Sequence, residues 1–378
     1  MTDRLLILGA GEMQVPVIVK ANEMGFETVV VDFDSNAPGV KFASKFYEVS
    51  TLDSDRVLEI AEKEKVNGLL TTSDAPVRVV AYVGSRLNLP AMSEKVSEIC
   101  TDKYLQRELF SHNGINCPAF SLCDRSTDLS KFTEFPYIVK PVDSSASRGV
   151  SKVSNSHELE EAAKEALGFS RSGKFIVESF IEGREFSVET LTQNNETHII
   201  TITEKLTKGE DEGFFVEDTH IEPARITDHE KDRIEEEVRK AILAIGIDNC
   251  PTHTEVKLNP EGAFIIEIAC RLGGDYITSS LVPLSTGVDM LENLIRLSVG
   301  RPIDCTHKFE ACSAVQFLNP ENYGRCVEYV SSSPSHIQDY RIEPFMNRKV
   351  RNSLDRLGYI VLQTESMSFL ENELHKIK

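Results

Sequence analysis

Residues 252–271 read THTEVKLNPEGAFIIEIACR, and this stretch decides the fold that the sequence predicts. Two runs rich in strand-forming residues flank the turn NPEG, which is typical of a tight β-hairpin. A three-residue loop over 260–262, with Gly262 in the left-handed conformation, places Asn259 opposite Ala263. The hairpin therefore predicts a register for both strands.

Counting back from the loop sets Glu255 directly opposite Glu267, with Cβ atoms about 4.5–5.5 Å apart. Two like charges so placed destabilise a sheet, so a shared proton or a bound divalent cation must compensate. Mg²⁺ fits, because it prefers one or two carboxylates together with nucleotide phosphates and water, and Mn²⁺ is an alternative ion. A register slip of one residue would separate the glutamates and leave no metal site.

A lysine and a loop of small residues upstream form a second candidate site. Lys140 ends the strand-like run FPYIVKPV (135–142), and the loop DSSASRG (143–149) follows it. Free backbone N–H groups in such a loop can cradle phosphates. The candidate phosphate ligands are Lys140, Ser144, Ser145, Ser147, Arg148 and Gly149. The order GxxxxGK[ST] is absent, which excludes a P-loop NTPase, and a surface hairpin with an incidental lysine is the alternative.

Two glutamates mark a third candidate site in KFIVESFIEGREF (174–186). Glu178 and Glu185 flank a strand end and a glycine turn. A nucleotide pocket needs hydrogen-bonding groups for the adenine edge and an acceptor for the ribose hydroxyls. Solvated strand-end glutamates are the alternative interpretation.

Residues 4–90 alternate short apolar runs with amphipathic stretches, which predicts a βαβαβα unit with a parallel sheet buried on both faces. The turn GAGEMQ (9–14) joins the first strand to a helix, and Asp32 ends the second strand. This combination leaves a nicotinamide enzyme open, but the third glycine of a dinucleotide fingerprint is missing. A tight turn between strand and helix explains the glycines equally well.

Beyond residue 100 the pattern changes to short strands around isolated helices. Helices are expected over 102–112, 157–167, 228–245 and 278–299. Thr101 is placed to cap the first of these helices, and Asn194 and Asn195 predict the turn of an antiparallel pair. We expect domains over 1–100, 101–300 with a small lid subdomain at about 115–182, and an α+β extension over 301–378.

Composition limits the partners and the compartment. Sixty acidic residues against 41 basic ones give a formal charge of −19, which argues against nucleic acid as a partner. The eight cysteines show neither CxxC pairs nor zinc-finger spacing, so we expect reduced thiols. The apolar run near the N-terminus is too short for a signal peptide and no segment could span a bilayer, which predicts a cytoplasmic protein without a membrane partner.

The order of these motifs resembles the ATP-grasp superfamily over about residues 1–300. The resemblance rests on TDKYLQRELF (101–110), IVKP (138–141), the Ser-rich loop, VESFIEGREF (177–186), HTEVKL (253–258) and IEIACRLGG (266–274). It implies an α/β protein in which a Rossmann-like parallel-sheet domain precedes a two-part ATP-grasp α+β fold. ATP and Mg²⁺ are the implied cofactors.

The resemblance also implies roles for individual residues. Lys103 and Lys140 would hold the ATP phosphates under the loop over 144–149, Glu185 would bind the ribose, and Glu255 and Glu267 would bind magnesium. The implied adenine hinge consists of Glu178, Ser179, Phe180 and Ile181, with Glu178 toward the amino group. Ala269 departs from the pattern, because many relatives have a metal-binding asparagine there.

Within the superfamily, HTEVKL and IEIACRLGG resemble the L-amino acid ligase branch. In that branch the equivalent of Arg271 contacts the acyl phosphate or the substrate carboxylate, and the equivalent of His220 in THIEPA (219–224) lines the substrate pocket. An ordinary ion pair and a surface histidine are the alternatives. The implied function is a carboxylate-amine ligase acting on small molecules, with a homodimer expected by analogy. A carboxylase or formyl-transferring enzyme of purine-biosynthesis type and a nucleotide-binding sensor are the rival hypotheses.

Overall fold

The structure is a computed structural model that describes residues 3–145, 147–209, 216–347, 349–350 and 352–378. Its first sheet is parallel and has the strand order β3-β2-β1-β4. The strands are β1 (Arg4–Leu8), β2 (Glu27–Asp32), β3 (Lys45–Glu48) and β4 (Gly68–Leu70). The helices are α1 (Val15–Glu23), α2 (Ser54–Glu64) and α3 (Val77–Leu87). Alternate residues of β1 enter two separate cores, which confirms a parallel sheet covered on both faces.

Asp32 closes the turn after β1 instead of facing a ligand. Its two carboxylate oxygens accept the backbone N–H groups of Ala10 at 2.7 Å and Asp34 at 2.9 Å. The side chain is 8% exposed. This arrangement supports the tight-turn interpretation of the glycines and leaves the nicotinamide hypothesis without its ribose ligand.

Two helices connect the parallel sheet to the rest of the chain, α4 (Glu94–Cys100) and α5 (Lys103–His112). Asp102 caps α5, because its carboxylate accepts the N–H groups of Tyr104 and Leu105. Thr101 was the wrong choice of cap, since its hydroxyl donates to the carbonyl of Ser97 and so ends α4. A carboxylate one residue later offers the stronger acceptor to the helix N-terminus.

A small antiparallel sheet with the order β5-β8-β6-β7 follows. Its strands are β5 (Phe120–Cys123), β6 (Tyr137–Pro141), β7 (Ser151–Val153) and β8 (Phe175–Ser179). Helix α6 (Ser156–Phe169) packs on one face and completes a separate core.

The largest sheet has eight antiparallel strands in the order β13-β12-β9-β10-β11-β14-β16-β15. The strands are β9 (Arg184–Gln193), β10 (Glu196–Lys208), β11 (Val216–Glu222), β12 (Cys250–Leu258), β13 (Ala263–Ala269), β14 (Cys312–Phe317), β15 (Ile337–Ile342) and β16 (Gly358–Thr364). Asn194 and Asn195 have φ angles of 55° and 61°, as the predicted turn between β9 and β10 requires. Because β14 pairs with β11, the C-terminal strands continue the central sheet.

The remaining helices cover this sheet. They are α7 (Asp228–Ile245), α8 (Val282–Thr286), α9 (Met290–Ser298), α10 (Tyr323–Ser331) and α11 (Met367–Ile377). The prediction of a single helix over 278–299 was wrong. A π-helical turn (Ile277–Leu281) precedes α8, and α8 ends at Gly287, which has a φ angle of 75°. Asp289 then caps α9. In the described part of the chain, no helix has the length and apolar character needed to cross a membrane.

Candidate active site

The predicted hairpin forms, but with a different loop. Asn259 and Gly262 exchange backbone hydrogen bonds of 3.0 and 3.2 Å, so only Pro260 and Glu261 make the turn. Gly262 does not adopt a left-handed conformation. Leu258, not Asn259, therefore pairs with Ala263, and the predicted three-residue loop was wrong.

A β-bulge at Ile266 restores the predicted register. Below the bulge Val256 pairs with Ile265, and above it Glu255 pairs with Glu267. The two glutamates thus face each other as expected. The shorter loop shifts the register by one residue, and the bulge shifts it back by one.

Helix α5 holds the bulge in place. Arg107 Nη2 donates to the Ile266 carbonyl at 2.5 Å, and the Gln106 amide bonds both the N–H and the carbonyl of Ile268 at 3.0 and 3.1 Å. Strand β13 lies at the edge of its sheet, where these backbone groups would otherwise lack partners.

The two antiparallel sheets and the end of the parallel sheet enclose a cavity of about 310 Å³. Most of the residues predicted for the site line it: Lys103, Lys140, Ser144, Ser145, Ser147, Glu178, Ser179, Phe180, Ile181, Glu185, His220, Glu255, Glu267 and Arg271. Arg148 and Gly149 do not line it. Arg148 is exposed and bonds the Ser145 carbonyl, whereas Gly149 packs against Phe169. Ala146, within the predicted loop, lies outside the described residues.

Lysines neutralise the facing glutamates. Lys103 Nζ lies 2.8 Å from Glu267 Oε1, and Lys205 Nζ lies 2.9 Å from Glu255 Oε1. Burial alone would raise the pKa of Glu255, but the charges around it, that of Lys205 first, together lower that pKa well below its usual range. Two carboxylates that face each other across the hairpin, each with a lysine partner, fit a magnesium ion whose other ligands are phosphates and water.

Sequence reasoning missed Lys205. It is 5% exposed and also lies 2.9 Å from Glu185 Oε1, directly opposite it in the sheet. Counting from the turn at 194–195 would have placed Lys205 opposite Arg184. A bulge at Ile200 shifts the register by one, so no signal in the pattern could have found this contact.

Lys140 belongs to a buried triad of charges. Glu178 accepts from Lys140 Nζ at 2.7 Å and from Arg107 Nε at 2.6 Å. Burial would raise the pKa of Glu178, but Arg107 and Lys140 together lower it, whereas burial lowers the pKa of Lys140. The carboxylate predicted to face an adenine amino group is thus engaged in holding Lys140.

The parallel sheet contributes Asp74 to the same cavity. Arg271 donates to both oxygens of Asp74, from Nε at 2.7 Å and from Nη2 at 3.1 Å. Asp74 follows β4, at the carboxyl end of the parallel strands, where open α/β sheets bind ligands. That rule could have predicted Asp74 from the sequence.

At the opposite end of the cavity, polar atoms lack partners. His220 is 1% exposed, burial lowers its pKa to about 3, and neither ring nitrogen has a hydrogen-bond partner within the described residues. Arg356 Nη2 bridges Glu217 at 3.0 Å and Asp275 at 3.1 Å, so the C-terminal segment forms part of this wall. Asp275 and the next residue, Tyr276, have φ angles of 48° and 67°, a strained conformation that is common at ligand sites.

Comparison with protein families gives two matches. Residues 133–279 match the ATP-grasp domain, and residues 5–89 match the PylC-like N-terminal domain. The chain contains an ATP-grasp domain. Its position agrees with the resemblance found in the motifs, and the parallel sheet with two antiparallel sheets confirms the predicted fold class.

Solved structures share this ATP-grasp fold over the whole chain. The L-amino acid ligase of Bacillus licheniformis is 21% identical, with a TM-score of 0.81 over 100% of this chain and 97% of that one. The biotin carboxylase domain of the Hydrogenobacter thermophilus 2-oxoglutarate carboxylase, solved as a dimer with MgADP, ADP and bicarbonate, is 18% identical. Its TM-score is 0.75, over 100% of this chain and 89% of that one.

Among curated proteins, the formate-dependent phosphoribosylglycinamide formyltransferase of Sulfurisphaera tokodaii is 29% identical over 209 residues, 53% of this chain and 52% of that protein. The chain spans about half to two thirds of the length of the first curated relatives that it matches.

Proposed function

We propose that this chain is an ADP-forming ligase that uses Mg-ATP to convert a carboxylate into an acyl phosphate and then joins it to an amine. One observation carries the proposal: Glu255 and Glu267 face each other in a cavity that also contains Lys103, Lys140 and Lys205. Two carboxylates for a cation and three lysines for a triphosphate are the charges that this chemistry needs.

Each lysine has a proposed part in phosphate binding. Lys103 and Lys205 now contact the carboxylates, and both would turn to phosphate oxygens when a cation replaces them there. Lys140 is already fixed by Glu178 and needs no rearrangement. Glu185 is proposed to bind the ribose, and the backbone near Phe180 and Ile181 the adenine. Ser144, Ser145 and Ser147 offer hydrogen bonds from the covering loop.

The reaction would then proceed in two steps. The substrate carboxylate would attack the γ-phosphorus, the bond to the β,γ-bridging oxygen would break and ADP would leave, while Lys140 would stabilise the developing negative charge. Glu255 and Glu267 would hold the magnesium ion, which supplies charge neutralisation when bound. The amine attacks the acyl carbon, and phosphate leaves as the C–N bond forms. Arg271, which Asp74 holds, would stabilise the oxyanion of that step.

Purine-type chemistry on formate or bicarbonate is the second candidate. It is supported by the likeness to formate-dependent phosphoribosylglycinamide formyltransferases. The two candidates differ in the first substrate, because formate and bicarbonate carry no side chain to fill the end of the cavity around His220.

The deciding experiment measures ADP release with Mg²⁺ or Mn²⁺ against amino acids, formate and bicarbonate, each with and without candidate amines. Release that depends on both a carboxylate and an amine supports the ligase. Stimulation only by formate or bicarbonate supports the second candidate, and nucleotide binding without release in any condition contradicts both. A homodimer, by analogy with the dimeric carboxylase domain, is testable by light scattering.

A further inference from the structure

One face of helix α5 is directed at the edge strand that carries Glu267. Lys103, Gln106 and Arg107 share this face, because helical residues spaced i, i+3 and i+4 lie one above the other. Lys103 contacts the carboxylate of Glu267 itself. Gln106 and Arg107 instead bond the backbone of β13, one on each side of that glutamate. Of the three, Arg107 also reaches the residues proposed to hold phosphate.

Arg107 is fully buried and makes two different contacts. Its Nε atom donates to Glu178 Oε1 at 2.6 Å, and its Nη2 atom donates to the carbonyl of Ile266 at 2.5 Å. Glu178 in turn holds Lys140 Nζ at 2.7 Å. One planar guanidinium thus joins the strand of the proposed cation site to the lysine proposed to hold phosphate.

The contact with the Ile266 carbonyl bears on the position of Glu267. In a regular strand, Ile266 and Glu267 would point to opposite faces of the sheet, but both line the cavity. The bulge at Ile266 makes this possible, and Nη2 of Arg107 bonds the carbonyl of the bulged residue. The backbone that directs Glu267 into the cavity therefore depends on Arg107.

The contact with Glu178 bears on the charge of Lys140. Arg107 and Lys140 are two cations that share one carboxylate, so one positive charge is left uncompensated. Nη1 of Arg107 has no hydrogen-bond partner within the described residues. Without Arg107, Glu178 and Lys140 would form a neutral pair that attracts a phosphate only weakly. Arg107 therefore leaves Lys140 with a positive charge that a phosphate can use.

We propose that Arg107 is a positioning residue for both halves of the ATP site. It fixes Glu267 through the Ile266 carbonyl, and it keeps Lys140 available to phosphate through Glu178. Arg107 itself does not line the cavity, so it acts only through these neighbours. This inference rests on the proposed ligase function and deepens it, because it names the residue on which the cation site and the phosphate site both depend.

Two substitutions of Arg107 separate its contacts. In R107K the ammonium keeps a cation beside Glu178, but it has no second donor that could reach the Ile266 carbonyl at the same time. In R107M both contacts and the charge are lost. Binding of Mn²⁺ in the presence of ADP, measured by electron paramagnetic resonance, reports the cation site. Calorimetric binding of ATP without a divalent cation reports the phosphate site.

We expect both variants to weaken Mn²⁺ binding by about 10- to 100-fold, the loss typical of removing a group that supports a metal ligand. The affinity for metal-free ATP should fall about tenfold in R107M and stay within about threefold of wild type in R107K. Wild-type affinity for Mn²⁺ in R107K would overturn the inference. An equal loss of affinity for metal-free ATP in the two variants is also incompatible with it.

R4K is the matched control. Arg4 likewise donates from Nε to a carboxylate, that of Glu27, and from Nη1 to a backbone carbonyl, that of Glu64, both at 2.8 Å. It lies in the parallel sheet, so R4K should keep both affinities. Equal losses in R4K and R107K would contradict a positioning role, because they would show a general response to the loss of an arginine.

A crystal structure of the wild-type protein with MgADP keeps the inference testable if the Arg107 variants do not fold. Arg107 should retain both contacts while Glu267 binds the ion. Loss of either contact in that complex would refute the inference. Wild-type protein that binds neither ATP nor Mn²⁺ with ADP would instead contradict the proposed function.

Discussion

The two ends of the cavity neutralise their charges differently. At the end proposed for the nucleotide, Lys140, Glu178 and Arg107 form a triad with two ion pairs of 2.7 and 2.6 Å, and Arg107 Nη1 is the one polar side-chain atom of the triad that lacks a partner within the described residues. At the other end, both ring nitrogens of His220 and the Nε atom of Arg356 are buried without hydrogen-bond partners within the described residues. Unpaired buried polar atoms cost stability, and they are retained where a ligand supplies the missing partner.

This difference indicates how the site divides its tasks. ATP is the same in every turnover, so its ligands can be fixed in advance by ion pairs within the protein. In the proposed ligase the second end would discriminate between substrates, because polar groups left unpaired reject a ligand that cannot bond to them.

The largest effect is expected for Glu267→Gln. Removing one of the two facing carboxylates weakens the cation site, so ADP formation should fall at least about 10³-fold at saturating Mg²⁺. The control is Glu261→Gln in the exposed hairpin turn, which should retain wild-type turnover. Wild-type activity in Glu267→Gln would contradict the cation site proposed between Glu255 and Glu267.

Glu178→Gln should break the closed end. The amide leaves Lys140 and Arg107 as buried charges without a counter-charge, which costs about 3 kcal/mol or more of unfolding free energy. Urea unfolding measures it. The matched variant is Glu230→Gln, which changes a half-buried capping glutamate of α7 and should cost about 1 kcal/mol. An equal loss of unfolding free energy in the two variants would indicate that the ion pairs of Lys140, Glu178 and Arg107 stabilise the protein no more than a helix cap does.

His220 makes the open end sensitive to acid. Burial lowers its pKa from 6.5 to about 3, so the folded protein resists protonation that the unfolded chain accepts. Stability is therefore complete above pH 6.5 and is lost as the pH falls toward 3. Between pH 7 and 5, wild type should lose about 2 kcal/mol relative to His220→Gln. If the unfolding free energies of wild type and His220→Gln changed by the same amount between pH 7 and 5, His220 would have to be solvated in the folded protein.

Arg356→Lys should have the smallest effect. The guanidinium bridges Glu217 and Asp275 and lies 3.6 Å from the centre of the Phe317 ring, contacts that a lysine cannot reproduce together. We expect the KM of the carboxylate substrate to rise about tenfold, a change of about 1.4 kcal/mol, while the KM of ATP stays the same. Arg341→Lys, on the exposed face of the same C-terminal segment, is the control. A rise in the KM of ATP would contradict the separation of the two ends.

The hairpin illustrates both the reach and the limit of sequence reasoning. The expected facing of Glu255 and Glu267 is confirmed, but a shorter turn and a bulge at Ile266 cancelled each other to produce it. The bulge depends on Arg107 and Gln106, about 160 residues away in sequence, which capture the edge backbone. No local pattern contains that contact.

The sequence by itself determined the parallel sheet, the order of strands and helices around it and the carboxylate pair, because alternation and apolar runs follow from backbone geometry at short range. Only the tertiary structure decided that Lys205 reaches Glu255, that Asp74 holds Arg271, and that Arg356, which precedes β16, closes the open end. These contacts join segments that lie far apart in the sequence, and their partners are selected by burial, where a charge needs an opposite charge within a few ångströms.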